Sequence, residues 1–138
     1  MKRLLLVSML VACIPLLNIA QTKPYNVVFD ITSGDTSDQK SIIRWLKAIS
    51  GDRPDAKMEV VLYGQSLGMI TKDQSVVSND IQQLLTNKNI SFKVCEMAMK
   101  RHNIEKSQLL PGVETVRDGI FEIITRQGEG WGYIKAAH

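Results

Sequence analysis

The chain is poor in cysteine and histidine, and each shortage removes a class of chemistry. Its 138 residues hold two cysteines, Cys13 and Cys95, and two histidines, His102 and His138. A metal site needs several such ligands converging, so no metal is expected. Neither cysteine belongs to a C-x-x-C pair, which excludes dithiol exchange within one chain. Neither a Walker pattern nor a dinucleotide fingerprint occurs, and no cofactor is expected. There is no internal repeat, linker or low-complexity tract. Only one long apolar run exists, at the very start.

That run has the form of a secretory leader. Lys2 and Arg3 give a basic start, residues 4–17 are apolar, and Asn18-Ile19-Ala20 closes on a small residue. Pro15 interrupts the run, which falls short of the roughly 20 apolar residues of a membrane span. Residues 1–20 therefore read as a signal peptide and residues 21–138 as a single domain. The expected location is outside the cytoplasm, in the bacterial periplasm, with no stable membrane insertion once the leader is removed. A lipid anchor through Cys13 is the alternative, because Leu10-Val11-Ala12-Cys13 resembles a lipid-attachment box. It ranks second because apolar residues continue past Cys13 to Leu17.

The leader carries two of the 17 basic residues and none of the 14 acidic ones, so the remainder has a net charge of 15 − 14 = +1. Nothing in that balance calls for nucleic acid or an anionic membrane as partner. Cleavage after Ala20 also leaves Cys95 as the lone thiol. Exported proteins usually pair their cysteines, so a solitary one is either shielded in the core or kept for reaction. Both readings stand.

Along the rest of the chain, strand-like and helix-like patterns alternate. Residues 25–31 form a first buried strand. Thr36 with Gln39 three later gives a capping-box pattern, and Ile42, Ile43, Trp45, Leu46 and Ile49 recur at helical spacing over 37–50. Residues 58–63 form a second buried strand ending at Gly64. Gly64, Gln65 and Ser66 follow as one wall of a pocket. A helix is expected over 75–86, a short one over 97–102 closed by Asn103 in the left-handed conformation, and a helical turn over 104–110. Residues 113–116 form a fourth strand, residues 117–127 a helix with Ile120, Phe121, Ile123 and Ile124 inward, and residues 131–135 a fifth strand.

Between the second and third helices lies Ile90-Ser91-Phe92-Lys93-Val94-Cys95. Ser91 and Lys93 alternate with Ile90, Phe92 and Val94, and Cys95 is expected as the next inward position at the end of a buried strand. Strand and helix alternating in this way call for a three-layer α/β/α sandwich around a five-stranded, mainly parallel sheet. Right-handed crossovers bring all strand carboxyl ends to one edge. That edge collects residues 30–33 and 64–66, Cys95 and the region of Val116.

A helix start at this edge favours a thiolate over a thiol. Lys100 and Arg101 add positive potential, whereas Glu96, beside the cysteine, opposes it. His102 is seven residues away, about 10 Å along a helix axis, too far to act as a base for Cys95. A single thiolate can attack a sulfane sulfur, carry it as a persulfide and pass it to a partner thiol without a second cysteine.

Four segments carry a resemblance to a known family. They are Val60-Val61-Leu62-Tyr63-Gly64 with its Leu-Gly turn, Phe92-Lys93-Val94-Cys95-Glu96-Met97-Ala98-Met99, Leu109-Leu110-Pro111-Gly112-Val113 and Gln127-Gly128-Glu129-Gly130-Trp131-Gly132-Tyr133-Ile134-Lys135. Over residues 25–135 the chain resembles the DsrE/DsrF-like sulfur-relay proteins. The resemblance implies a parallel five-stranded fold, assembly into homo-oligomers (trimers or hexamers), and a persulfide-carrying cysteine at the place of Cys95. It also implies a thiol-bearing donor or acceptor protein, or a small polysulfide, as partner. Two functions remain open: a sulfur carrier or sulfurtransferase acting through Cys95, with Gly64, Gln65, Ser66 and Glu96 as pocket residues, and a non-catalytic binding or assembly module of the same fold.

Overall fold

The structure, a computed structural model, describes residues 23–136. The leader, the Cys13 anchor and His138 lie outside them. Five strands, β1 (Asn26–Ile31), β2 (Lys57–Leu62), β3 (Ile90–Cys95), β4 (Glu114–Val116) and β5 (Gly132–Ala136), alternate with four helices. The helices are α1 (Thr36–Asp52), α2 (Ser78–Leu84), α3 (Glu96–Arg101) and α4 (Gly119–Gly128). The strands form one sheet in the order β4-β3-β2-β1-β5, and every neighbouring pair is parallel.

The first four strands are laid down in one direction, and right-handed crossovers place their connecting helices on one face. Val27, Phe29 and Ile31, Met58, Val60 and Leu62, and Ile90, Phe92 and Val94 point to that face, where they pack with α1, α2 and α3. From α1 come Ile42, Ile43 and Leu46, all buried. Each such side chain contributes about 1.5–3 kcal/mol on burial, so this face holds most of the core. After β4 the chain turns back, and α4 crosses the opposite face to deliver β5 beside β1. Among the described residues the second layer is therefore a single helix. Beneath it lies a much smaller apolar cluster of Val28, Val61 and Ile123, with Tyr63 and Trp131 packed against it.

The sparse second layer corrects one expectation about α4. Ile123 is buried, but Ile120, Phe121 and Ile124 are 56%, 67% and 58% exposed. The helix touches the sheet along a narrow line, so residues flanking Ile123 on the helical wheel have nothing to pack against. Polar groups supply much of its remaining hold. Glu59, on β2 and almost fully buried, meets Lys93 at 3.3 Å and Arg126 at 3.1 Å. Glu122 meets the same two cations, at 3.3 and 2.9 Å.

Local signals shift several boundaries. Asp35, not Thr36, caps α1, its Oδ1 accepting the Ser37 amide at 2.7 Å. The second helix is shorter than its apolar spacing suggests, Ser78–Leu84. Between α3 and β4 only a 3-10 turn forms, Lys106–Gln108. Asn103 adopts the left-handed conformation as expected, with φ 53°. At the start of α4, Asp118 accepts from the amides of Ile120 and Phe121, at 2.9 and 3.3 Å. Because this cap starts the only helix on its face among the described residues, Asp118→Ala should lower the stability of the whole domain by about 1 kcal/mol, read as a lower urea midpoint at unchanged slope.

Candidate functional site

Cys95 closes β3 and is also the N-cap of α3. Strand register places it on the side opposite Ile90, Phe92 and Val94, on the face covered by α4. The expectation that it continues the inward row of β3 is therefore corrected. Val94 and Cys95 are both buried because each face of the sheet is covered at that point. Cys95 is the free cysteine of the described residues and is 5% exposed.

The sulfur lies beneath the start of α4. A Cβ added to Gly119 would sit 3.2 Å from the Cys95 Cβ, 3.2 Å from Val61 Cγ1 and 3.4 Å from Tyr63 Cδ1. Only glycine lets the helix approach the thiol this closely. Sγ lies 4.0 Å from the carbonyl oxygen of Arg117, at the outer limit of a thiol hydrogen bond. It makes no capping hydrogen bond to α3, and the amides of Ile120 and Phe121 on α4 are taken by Asp118. A cavity of about 600 Å³ flanks the site, lined by Met97, Val116, Arg117, Asp118, Phe121 and Glu122. Val116 is the strand partner of Cys95.

The other expected site residues are placed differently. Glu96 turns its carboxylate toward Thr115, which donates at 2.9 Å, and toward Lys106 at 3.1 Å. The Thr115 hydrogen bond and the Lys106 charge hold it below the ordinary carboxylate value. Register sets Thr115 on the face opposite Cys95, so Glu96 is engaged away from the sulfur. Gly64, Gln65 and Ser66 tie the end of β2 to the end of β1. Gly64 has φ 64° and packs against Thr32, and the Gln65 amide donates to the Thr32 carbonyl at 2.9 Å. The Ser66 hydroxyl is buried, 2.8 Å from the carbonyls of both Ile31 and Tyr63. Among the described residues no group of three or more His, Cys, Asp and Glu is arranged to hold a metal. No helix among them is long and apolar enough to cross a membrane.

Two polar groups on the α4 face were not singled out from the sequence as site residues. One is the ion cluster under α4, where burial pushes the Glu59 carboxyl up. The other lies toward the carboxyl end of the sheet, around Asp30. Asp30, 3% exposed, accepts the Tyr133 hydroxyl on Oδ2 at 2.7 Å and has Lys135 Nζ at 3.9 Å. Its other oxygen, Oδ1, is buried without a hydrogen-bond partner among the described residues. Leaving such an acceptor bare costs about 1–3 kcal/mol. Burial and the Asp30 carboxylate push the Tyr63 phenol up to about 12, with smaller contributions from Tyr133 and Cys95. The hydrogen bond to Asp30, then burial, push Tyr133 up to about 12 as well. Tyr63, just past β2, is level with Cys95, whereas Asp30 on β1 is in register with Val61 and Lys93 and Tyr133 on β5 with Val28, so the group runs diagonally away from Cys95. The usable signal was the placement of Asp30 in a buried apolar strand, where a carboxylate needs a reason.

Residues 26–136 match the DsrE/DsrF-like family. The chain belongs to that family. Among solved structures, the family member is similar to MTH1491 from Methanobacterium thermoautotrophicum, a protein of unknown function, at 31% identity and TM-score 0.76, covering 80% of this chain and 98% of that one. Two more distant structures share the fold. They are the ychN protein from E. coli (13% identity, TM-score 0.67, covering 82% and 99%) and BT1422 from Bacteroides thetaiotaomicron (14%, 0.66, covering 80% and 94%). No curated protein matches the chain.

The raised phenols give a measurable signature. A phenol whose folded value lies above the ordinary 10.0 adds stability that is fully present below pH 10 and lost as pH rises through about 12. Of the three tyrosines in the chain, Tyr63 and Tyr133 should therefore ionise late in an absorbance titration. Asp30→Asn should move both transitions toward lower pH, Tyr133 the more, because the charged acceptor is gone.

Proposed function

We propose that this DsrE/DsrF-like protein is a sulfur-relay protein that accepts sulfane sulfur on Cys95 as a persulfide and passes it to another thiol. The observation that carries the reading is the position of Cys95, at the carboxyl end of a central strand, beneath the start of α4 and in a chain of this family. Ligands and chemistry in open parallel sheets gather at that edge. The step needs no second cysteine. The Cys95 thiolate attacks the outer sulfur of a persulfide R–S–SH, the S–S bond breaks, and R–S⁻ leaves to take a proton from solvent. The partners are a thiol-bearing donor or acceptor protein or a small polysulfide, and the site of action is outside the cytoplasm, following the leader-like residues 1–20.

The 5% exposure of Cys95 favours a second reading, a binding or assembly module in which the thiol is packing. Intact-mass measurement after incubation with inorganic polysulfide separates the two. The relay reading expects a gain of one sulfur mass on the folded chain, absent from Cys95→Ala. An unmodified native thiol that reacts only in denaturant supports the module.

Self-association is part of the same proposal. Ile120, Phe121 and Ile124 on α4 and Met97 on α3, all more than half exposed, put an apolar surface beside the site, and its complement is a second copy of the chain. Phe121→Glu should lower the mass read by light scattering toward that of one chain while circular dichroism stays unchanged.

A further inference from the structure

Strands β3 and β4 lie side by side, yet their helices part. After β3 the chain enters α3 on the face of α1 and α2, whereas after β4 it enters α4 on the other face. Where neighbouring strands send their connections to opposite faces, a crevice opens at their carboxyl ends, and Cys95 pairs with Val116 there. What covers the sulfur at this crevice is the first turn of α4, Gly119 to Glu122. That turn is thinly held. Gly119 is buried against Cys95, Val61 and Tyr63, but Ile120 and Phe121 are more than half exposed, and the buried apolar side chain of the helix, Ile123, comes only after the turn. Glu122 ties the turn to the sheet, its carboxylate 3.3 Å from Lys93, which lies on the same face as Cys95. On its open side the turn borders the cavity of about 600 Å³ to which Val116, Arg117 and Phe121 contribute, with Met97 of α3 also lining it. The turn therefore has little packing to lose and space to move into, the conditions under which a segment opens without global unfolding.

We propose that the first turn of α4 is a lid over Cys95, which unwinds to admit the sulfur donor and rewinds to enclose the thiol. This rests on the relay reading for its purpose and adds the step that opens the site. A nucleophile 5% exposed needs such a step, and enclosure between transfers shields a persulfide from stray thiols. Asp118 and Glu122 are the latches. Unwinding gives up the hydrogen bonds from the Ile120 and Phe121 amides to Asp118 and the ion pair of Glu122 with Lys93. Beyond the turn, Ile123 and the ion pair of Arg126 with Glu59 keep the remainder of α4 on the sheet.

The test alkylates the full chain with iodoacetamide at urea concentrations below the unfolding midpoint and reads the peptide that carries Cys95 by mass. The wild-type rate should lie about tenfold or more below that of the denatured chain and stay nearly flat in urea, because unwinding one turn exposes little surface. Asp118→Ala should raise it about fivefold, the value of one cap. Ile42→Val, which weakens the opposite face of the sheet by a comparable amount, should leave it unchanged. A wild-type rate that climbs from the lowest urea with the full slope of unfolding overturns the lid, and so does one equal to the rate of the denatured chain. These wild-type outcomes decide the matter even if a variant does not fold. Loading by inorganic polysulfide should follow the same order among the three chains. A thiol alkylated through the lid yet never loaded refutes the relay reading and leaves the lid standing.

Discussion

A buried ion cluster governs whether the second face of this sheet is covered at all. Glu59 projects from the middle of β2 into an apolar setting, where an isolated carboxylate would be strongly disfavoured. Lys93 and Arg126 make it tolerable, and Glu122 shares both cations. Burial opposes the Arg126 charge, but hydrogen bonds to Glu59 and Glu129 more than offset it and raise that group. Arg126 also lies over the Trp131 ring, 5.1 Å from its centroid. Such clusters cost desolvation and confer little net stability against an apolar replacement. Their geometry, however, allows few alternatives, and Ile123 with two small valines could not by itself fix where along the sheet α4 lies. With α4 in place, Gly119 reaches Cys95 and the thiol is enclosed.

The site is therefore assembled from parts with different physical origins. Sheet register aligns Cys95, Tyr63 and Asp30 on one face, which is a property of the backbone. The ion cluster positions the helix above them. The Asp118 cap uses up two amides at the helix start, so a negative side chain, not the Cys95 sulfur, holds those donors. The amides expected to stabilise a thiolate were those of α3, and the Cys95 sulfur makes no capping hydrogen bond to them; its polar surroundings include Tyr63 and the Arg117 carbonyl.

Much of the architecture was legible in the residues. Period-two alternation in residues 90–94 and the β-branched runs near 27–31 and 58–62 marked the strands, because a sheet buried on one broad face imposes that pattern. Asn103 announced its own backbone conformation. What was not legible has a common cause. The pattern of α4 looks inward on four residues, yet only Ile123 is buried, because hydrophobic spacing records which residues share a helical face and not how much surface waits beneath it. Cys95 was assigned to the face of Val94 because adjacent buried residues in a strand give no sign of which side each takes. Asp30 was placed at the correct edge without a role, since pairing across four strands depends on register that one sequence does not display. Ser66 was read as pocket wall for a similar reason: the carbonyls of Ile31 and Tyr63 that it meets become neighbours only once β1 and β2 are paired.

The order of the strands has a further effect at the sheet's two rims. The late additions, β4 and β5, lie outermost, so the longest and most apolar strands never present unpaired main-chain groups. β4, with three residues, is too short to template another chain. β5 is longer and exposed through four of its five positions, but it begins with glycine and carries Lys135, whose charge discourages edge-to-edge pairing. Both margins are thereby blunted against aggregation by different means, one by brevity and the other by charge.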